Sequence, residues 1–275
     1  MGVVVQTNVS SLEAQRNLGK NQKALGVSFN RLSSGFRVNT AADDAAGLAV
    51  SESMKSKIRS FTVAERNAAD GVSMAQTAEG ALGEVHDVLG RMRELATQAA
   101  NGSLSDTDRG YLNTEFTALK DEITRIQGST KFNGVDLIAQ TTSSTTFQIG
   151  LDNATTDQIS VNFGGLNLSA VTASGNGVGT LATAQAALGI TDTGIAAVSS
   201  SRAGFGAVMN RLDVATANIQ TMRLNLSAAN SRIRDVDVAE ETSRMSRNQV
   251  LTQAGISVLS QANQLPQLAF GLIGG

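Results

Sequence analysis

The chain has 275 residues, no cysteine, 4% aromatic residues and a formal net charge of −2 at pH 7. The absence of cysteine excludes disulfide bonds, thiolate metal sites and cysteine nucleophiles. The nearly balanced charge excludes the broad basic surface that would attract nucleic acid or an anionic membrane. No stretch approaches the roughly 18–20 consecutive apolar residues of a membrane span, and the N-terminus lacks the basic region of a secretory signal.

The first predicted helix covers about residues 7–33. Its leucines recur at intervals of seven residues, which places them on one helical face. That face consists of Leu18, Leu25, Phe29 and Leu32. Gly35 follows as a left-handed helix cap.

A second helix, over about residues 43–100, carries an unbroken apolar stripe with alternating steps of three and four residues. The stripe consists of Phe61, Ala64, Ala68, Gly71, Ala75, Ala78, Leu82, Val85, Leu89, Met92 and Ala96. Thr40 and Asp43 are predicted to cap its start. Because each residue adds about 1.5 Å, the stripe spans roughly 50 Å, a length that favours assembly machinery over an enzyme.

The middle of the chain combines one more helix with a β-hairpin. Ser105 is predicted to start the helix, which ends at Gly128. Its seam consists of Leu112, Phe116, Leu119, Ile123 and Ile126. A turn follows at 131–134, and apolar residues then alternate with polar ones in two short runs, which predicts a β-hairpin. The alternating residues are Phe147, Ile149 and Leu151, and then Ile159, Val161 and Phe163.

Three helices are predicted in the C-terminal part, over about residues 181–188, 193–229 and 238–261. A second stripe with steps of three and four consists of Phe205, Val208, Leu212, Ala215, Ile219, Met222, Leu226, Ala229, Ile233 and Val236. The last helix includes Met245, Leu251, Val258 and Leu259 among its apolar residues. Pro266 is predicted to end it.

These elements predict a mainly α fold. N- and C-terminal segments form a long heptad-patterned antiparallel helical bundle or coiled coil, with a small β-hairpin region in the middle. We predict an inner terminal coiled-coil domain (1–42 with 235–275), a helical-bundle domain (43–138 with 190–234) and a hairpin and loop part of that bundle (139–189). The terminal segments have little core of their own, so we expect them to be disordered until neighbouring copies complete their coiled coil.

The polar residues that invite a chemical role have simpler structural explanations. His86 lies off the apolar stripe without a second histidine, so we predict a solvated side chain. Asp235, Asp237, Glu240 and Glu241 are predicted to cap and charge the start of the last helix. The chain has no phosphate loop, nucleophile elbow or zinc-protease motif. We therefore predict no enzyme, no catalytic residue, no metal site and no cofactor.

Several stretches closely resemble the signatures of bacterial flagellin. Residues 30–47 (NRLSSGFRVNTAADDAAG) resemble its N-terminal signature, and residues 7–16 (TNVSSLEAQR) resemble its start. Residues 131–134 (KFNG) resemble the turn that closes its helical hairpin. Residues 227–237 (SAANSRIRDVD) and 249–267, which include QANQ, resemble its C-terminal signature. The resemblance covers about residues 2–165 and 193–270.

This resemblance implies the structural subunit of the flagellar filament, which serves motility. Only a short low-charge stretch separates the two signatures, so the resemblance implies a short form that lacks the outer variable domains. Flagellins are extracellular, are exported through a type III apparatus without a cleavable signal peptide, and polymerise into a helical filament. The implied partners are other copies of the chain and the export chaperone, cap and junction proteins, without nucleic acid or membrane.

Two sets of site residues are predicted. The filament-assembly seam consists of Leu18, Leu25, Phe29, Leu32, Met245, Leu251, Val258 and Leu259. By resemblance alone, Arg91, Leu95 and Glu115 match positions that contact the vertebrate innate flagellin receptor. Gly90 departs from the bulkier polar residue common in the family.

Two other kinds of protein stay open at this point. A hook–filament junction protein shares the terminal architecture, but would occur in a single ring instead of thousands of copies. A secreted coiled-coil adhesin or effector would be monomeric or a closed oligomer, and would fail to polymerise on filament seeds.

Overall fold

The computed structural model describes residues 7–273 of the chain, and the side chains of residues 7–264. The helices in this part are α1 (Val9–Ser34), α2 (Ala45–Ala99), α3 (Asp106–Ser129), α4 (Ser169–Thr172), α5 (Leu181–Arg234) and α6 (Val238–Ile273). The strands are β1 (Lys131–Phe132), β2 (Val135–Asp136), β3 (Ser143–Gln148) and β4 (Gln158–Phe163). The predicted mainly α architecture with a small hairpin region is confirmed.

The chain divides into two compact units, residues 1–56 with 225–275 and residues 57–224. The predicted inner domain, 1–42 with 235–275, falls within the first of these units. Its outermost residues, 1–6 and 274–275, lie outside the described part of the chain. The predicted domain boundaries themselves stay a prediction.

Local capping explains where α1 begins and ends. The Asn8 side chain accepts a hydrogen bond from the Ser11 N–H at 3.0 Å, which satisfies one of the free donors at the helix start. Gly35 has a φ of 76° and donates its N–H to the Arg31 carbonyl at 2.9 Å. This left-handed conformation suits glycine, which has no Cβ. The prediction of Gly35 as the cap is confirmed.

The start of α2 is capped by Asp44, four residues after the predicted capping residue Thr40. Asp43 Oδ2 accepts the N–H groups of Asn39 at 3.2 Å and Thr40 at 2.9 Å, so this carboxylate closes a turn before the helix. Asp44 Oδ1 accepts the Gly47 N–H at 2.8 Å and caps the first helical turn. The prediction that Thr40 and Asp43 cap α2 is therefore wrong, because Asp43 bonds back to the connector.

The predicted α2 stripe forms the core of residues 57–224. Every residue of the stripe from Phe61 to Ala96 is buried. Around it lie buried side chains from α3, β4 and α5, including Phe116, Ile123, Phe163 and Leu212. The rings of Phe163 and Phe205 stack with their centroids 5.5 Å apart. Many stripe residues are alanine, which lets neighbouring helices approach closely.

The structure has two hairpins, at the predicted turn 131–134 and at the predicted β-hairpin. β1 and β2 pair around Asn133 and Gly134, whose φ angles of 48° and 82° fit the tight hairpin turn that an Asn-Gly pair favours. β3 and β4 are antiparallel, with Phe147 opposite Ile159. The alternation at Ile149 and Leu151 does not extend β3, which begins at Ser143 and ends at Gln148.

The helices of the C-terminal part are longer than predicted. Residues 181–188 and 193–229 belong to one continuous helix, α5, that runs to Arg234. The predicted break between residues 188 and 193 is therefore wrong. The hydroxyls of Thr191 and Thr193 instead donate to carbonyls four residues earlier, at 2.8 Å each, and the helix continues. α6 also continues through Pro266 to Ile273, so the prediction that Pro266 ends this helix is wrong.

Candidate assembly site

α1 and α6 contact each other along one narrow seam. On each helix, the buried and half-buried residues recur with alternating steps of three and four, as in a heptad. The α1 positions are Ser11, Ala14, Leu18, Asn21, Leu25, Ser28 and Leu32. The α6 positions are Glu241, Met245, Asn248, Thr252, Gly255, Leu259 and Ala262. Polar and small side chains fill much of this seam, so two helices alone bury little apolar surface.

The eight residues predicted to form the assembly seam fall into two groups. Those in the α1–α6 seam are Leu18, Leu25, Leu32, Met245 and Leu259, all half-buried. The other three lie outside it: Phe29 is 51% exposed, Leu251 44% and Val258 54%. Their part in assembly stays a prediction. The structure therefore separates a face used within the chain from apolar side chains that are free to meet another molecule.

Polar contacts lie at both ends of the α1–α6 seam. Near the start of α1, Asn8 donates to the Ala262 carbonyl at 2.7 Å, and the Ser11 hydroxyl donates to Asn263 Oδ1 at 2.7 Å. At the other end, the Ser28 hydroxyl donates to Glu241 Oε1 at 2.6 Å. A shift of either helix along the other would break all three contacts, so they fix the register of the pair.

Glu241 has a role that sequence reasoning missed. It is only 5% exposed, and its Oε2 lies 3.6 Å from Arg31 Nη1. Helix capping at the start of α6 is instead supplied by Asp237 Oδ1, which accepts the N–H groups of Ala239 at 2.9 Å and Glu240 at 3.1 Å. Capping is thus confirmed for Asp237, and Glu240 and Glu241 place negative charge in the first turn of α6 as predicted. Glu241 in addition contacts α1.

A short antiparallel connection joins the chain just after α1 to the chain just after α5. Val236 donates its N–H to the Gly35 carbonyl at 3.0 Å, and Arg37 donates its N–H to the Arg234 carbonyl at 2.6 Å. The Arg234 guanidinium lies 4.6 Å from the centre of the Phe36 ring and pairs with Glu52. These contacts fix the direction in which the chain enters and leaves the α1–α6 pair.

A ladder of ion pairs connects α2 with α5 in residues 57–224. The pairs are Glu65 with Arg223 at 2.9 Å, Glu79 with Arg202 at 2.6 Å, and Arg93 with Asp192 at 2.5 Å. The α2 members are two heptads apart, so they share one position beside the buried stripe. His86 occupies the same heptad position. It is half-buried, with Nδ1 buried and unpartnered, so the prediction of a solvated histidine is wrong.

The residues predicted to meet the innate receptor lie on α2 and α3. Arg91 Nε donates to Glu115 Oε1 at 2.8 Å, and both side chains are about half exposed. The hydrogen bond with Glu115, followed by that with Glu94, raises the pKa of Arg91 above its usual value. Leu95 is 1% exposed, so its side chain belongs to the core and cannot contact a partner at this surface.

The polar residues of the described chain offer little for metal or small-molecule chemistry. Between residues 7 and 264, no group of three or more His, Cys, Asp or Glu side chains could hold a metal ion. An open cleft of about 470 Å³ lies beside α3. Lys120 lines it and donates to the carbonyls of Ala173 and Asn176, at 2.8 Å each. This ammonium ties a loop to the helix, which is a structural task.

Comparison with known proteins defines the family. The bacterial flagellin N-terminal helical region matches residues 5–143, and the bacterial flagellin C-terminal helical region matches residues 188–273. Together the two matches cover well over half of the chain. The chain therefore belongs to the bacterial flagellin family.

Individual relatives are similar over almost their whole length. A flagellin of Halalkalibacterium halodurans is 40% identical over 273 residues, which cover 98% of this chain and 100% of the relative. A flagellin of Bacillus subtilis is 39% identical, and the match covers 98% of this chain and 99% of that flagellin. A flagellar filament core protein of Brachyspira hyodysenteriae is 36% identical, and the match covers 98% of this chain and 100% of that protein. The chain is thus a short flagellin without outer variable domains.

Two solved structures share the fold. The crystal structure of Bacillus cereus flagellin has a TM-score of 0.51 and 36% sequence identity, over 60% of this chain and 94% of that one. A protein described as flagellar hook-associated, from Vibrio parahaemolyticus, has a TM-score of 0.59 over 70% of this chain and 100% of its own. Its identity of 17% supports similarity of fold alone.

Proposed function

We propose that this chain is the structural subunit of a bacterial flagellar filament, and that it polymerises through its α1–α6 pair. Family membership supports the role of structural subunit. The observation that carries the assembly mechanism is the division of apolar residues between two faces. One face holds α1 against α6, while Phe29, Leu251 and Val258 lie outside the seam and are 44–54% exposed.

The free energy of assembly comes from these exposed apolar side chains. Burying a leucine, valine or phenylalanine side chain contributes about 1.5–3 kcal/mol. Fixing one backbone residue costs roughly 1–2 kcal/mol, so a lone helix pair with a partly polar seam is marginal. Neighbouring subunits that cover Phe29, Leu251 and Val258 supply the additional free energy of apolar burial that stabilises the helix pair. Terminal segments that become ordered only on assembly would also prevent premature polymerisation.

The growth of a filament requires a particular kind of contact. A contact between two different faces of identical subunits leaves one face of each kind free at the ends, so the polymer stays open. A contact between two identical faces closes into a dimer. We infer that copies of this chain join through different faces. The filament that they form is extracellular and serves motility.

Export and accessory partners follow from the same proposal. An extracellular filament that grows at its distal tip needs subunits delivered unfolded through the filament. We propose type III export without a cleavable signal peptide, assisted by an export chaperone and by cap and junction proteins. The structural character of the family supports a role without catalysis.

Seeded polymerisation tests the proposed function. Purified full-length chain is mixed with sheared filament seeds and examined by electron microscopy, beside a truncated variant that ends at residue 234. A paired variant, Leu251→Asp with Val258→Asp, keeps the whole chain. Its matched control is Val238→Asp, because Val238 is also exposed, at 61%, but lies at the start of α6 and away from these residues.

We expect long filaments from the full chain and the Val238 control, and none from the other two. Failure of the full chain to extend seeds would overturn the structural-subunit proposal in favour of a junction protein or a secreted effector. Normal growth of the Leu251 and Val258 variant would be consistent with a filament subunit, but would show that these two residues are not needed for polymerisation.

A second proposal concerns recognition by a host. We propose that the vertebrate innate flagellin receptor contacts Arg91 and Glu115, whose half-exposed charged groups are held together across α2 and α3. Leu95 would not contact the receptor itself. Its buried side chain would hold α2 in the position in which Arg91 and Glu115 are presented. Binding of the Arg91→Ala and Glu115→Ala variants to the receptor ectodomain should weaken at least tenfold. Thr117→Ala is the control and should bind normally, because Thr117 is exposed on the side of α3 opposite Glu115. Equal binding by all three variants would refute the proposal.

A further inference from the structure

Lys120 of α3 is a buried cation that has no carboxylate partner in the described part of the chain. It is 6% exposed, and its Nζ donates to the carbonyls of Ala173 and Asn176. These bonds use two of the three N–H groups of the ammonium. A buried charge is strongly unfavourable unless an opposite charge compensates it. Lys120 therefore offers a bound anion both a free donor and an uncompensated charge.

The open cleft of about 470 Å³ beside this ammonium, which we call the α3 cleft, presents further donors. Gly175, Gly177 and Gly179 line it, and none of their backbone N–H groups donates a hydrogen bond within the described chain. Asn113 lines it as well, and its Oδ1 accepts the Val178 N–H at 2.8 Å, which leaves the Nδ2 donor unused. Because glycine has no Cβ, backbone N–H groups in such a loop can approach an anion closely.

The glycine-rich loop leads directly into the N-terminus of α5, a helix of 54 residues. Thr180 and Thr183, at this end of the helix, also line the α3 cleft. The first turn of a helix has backbone N–H groups without intrahelical partners and carries partial positive charge, which favours anions. The helix end and the buried ammonium of Lys120 line the same cleft, so both favour negative charge in it.

One carboxylate opposes the binding of an anion in the α3 cleft. Asp121 lines the cleft, is exposed and forms no ion pair within the described chain. Because this carboxylate is in contact with water, dissolved ions screen its repulsion, whereas the charge of the buried Lys120 is screened much less. The balance of charges and donors therefore favours an anion over a cation.

We propose that the α3 cleft binds a phosphate group, either free or carried by a small polyol. Several backbone N–H groups of a glycine-rich loop, a helix N-terminus and a lysine form the donor set that suits phosphate. Hydroxyl groups of Thr117, Thr172 and Ser174 line the rest of the cleft, and its volume falls within the roughly 300–1,000 Å³ of small-molecule sites. The inference concerns the free subunit and does not depend on the proposed function.

Nuclear magnetic resonance of the full-length, unpolymerised chain with isotopically labelled glycine tests the proposal directly. Sodium phosphate is added and compared with sodium chloride at the same ionic strength. The amide signals of Gly175, Gly177 and Gly179 should shift saturably with phosphate and stay in place with chloride. The signal of Gly102, an exposed glycine between α2 and α3, is the internal control and should not shift.

A hexose phosphate and sodium acetate distinguish the possible ligands. Tighter binding of the hexose phosphate than of inorganic phosphate would support a phosphate carried by a polyol, and equal binding would support free phosphate. The absence of a saturable shift with both phosphates, or an equal response to acetate, would overturn the proposal of a phosphate site.

Two variants with opposite expected effects test the role of charge in the α3 cleft. Lys120→Met keeps the apolar stem of the side chain and removes the ammonium, so phosphate affinity should fall at least tenfold. Asp121→Asn leaves the loop contacts of Lys120 in place and removes the repelling carboxylate, so affinity should rise at least twofold. The control Asp70→Asn neutralises an exposed carboxylate of α2 outside the cleft. An equal effect of the two Asp→Asn substitutions, or unchanged affinity in a folded Lys120→Met, would contradict binding at this cleft.

Discussion

A single carboxylate, Glu241, contacts two residues of α1 at one end of the α1–α6 pair. It accepts a hydrogen bond from Ser28 and lies 3.6 Å from Arg31 while being almost completely buried. A buried carboxylate needs such partners, because a charge removed from water without them is strongly unfavourable. Arg31 in turn has a buried Nε atom without a hydrogen-bond partner, and Glu241 lies beside its guanidinium.

Replacement of this carboxylate should weaken the helix pair. Glu241→Ala leaves Ser28 and Arg31 without their partner, so we expect the polymerised protein to lose about 1–3 kcal/mol of stability per subunit. The control Glu240→Ala removes an exposed pair with Arg244 on α6, which contributes only about 0.3–0.5 kcal/mol. The measurement is denaturant-induced loss of helical signal from filaments. Equal midpoints for the two variants would contradict the role of Glu241.

The capping box at the start of α3 predicts how the stability of the protein depends on pH. The Ser105 hydroxyl donates to Asp108 at 2.6 Å, and this hydrogen bond, followed by that from the Ser105 N–H, lowers the pKa of Asp108 below 3.8. A carboxyl with a lowered folded pKa stabilises the protein above its unfolded pKa, and that contribution is lost as pH falls through the folded value.

Asp108→Asn should therefore be less stable than wild type at pH 7, and the difference should shrink as pH falls below 3.8. Thermal unfolding of both proteins between pH 7 and pH 2 measures this directly. The control Asp121→Asn changes another exposed carboxylate of α3 outside the capping box. A difference between Asp108→Asn and wild type that stays constant down to the lowest pH would contradict the proposed cause.

Residues whose role depends on near neighbours in sequence were predictable, and the others were not. Gly35 and the pair Ser105 with Asp108 act within one helical turn, so their residue types indicate their function. Glu241 differs because its partner Ser28 lies 213 residues away. Nothing in the local pattern distinguishes Glu241 from the capping carboxylates beside it. Phe29 was predicted on the same face as Leu18, Leu25 and Leu32, but it lies outside the α1–α6 seam and is 51% exposed, because its exposure depends on where α6 lies.

At the scale of elements, α5 illustrates how packing overrides local signals. Gly189 and Gly194 both lie within this single helix, although glycine is unfavourable in helices by about 1 kcal/mol relative to alanine. They differ in their surroundings. A Cβ on Gly194 would lie 2.9 Å from Val171 Cγ2 and 3.4 Å from Leu89 Cδ2, whereas a Cβ on Gly189 would meet nothing within 4 Å.

Alanine substitutions at these two glycines should have opposite effects. Gly194→Ala should destabilise the chain by about 1–3 kcal/mol, because Val171 must move to make room in a packed core. Gly189→Ala should stabilise it by about 0.5–1 kcal/mol through helix propensity alone. Thermal unfolding followed by circular dichroism measures both changes. Stabilisation by Gly194→Ala would show that the close approach of α5 to Leu89 and Val171 is wrong.

The long helices were largely predictable from their period. Every residue of the α2 stripe from Phe61 to Ala96 is buried, so the pattern identified most of the buried face. It did not include Met74 and Leu95, which are buried as well. The second stripe was identified less completely: Phe205, Leu212 and Ile219 are buried, whereas Met222 is 44% exposed. The register of α2 against α5 could not be predicted either, because the ion pairs that fix it join residues far apart in the sequence.

At the scale of the whole molecule, family membership and the distribution of exposed apolar residues lead to the same conclusion. The subunit covers one set of apolar residues within itself and leaves a second set on α1 and α6 for its neighbours. The fold class was predictable because the long periodic stripes are strong signals. The division of the terminal apolar residues into internal and external faces was not, because it depends on the packing of α1 against α6.

The most direct test of the central claim is a helical reconstruction of the filament by electron cryomicroscopy. We predict that every subunit keeps α1 against α6 in the register set by Ser11 with Asn263 and Ser28 with Glu241. We also predict that Leu251 and Val258 are buried against a neighbouring copy. A filament in which α1 and α6 of one subunit are apart, or in which Leu251 and Val258 face water, would contradict assembly through this helix pair.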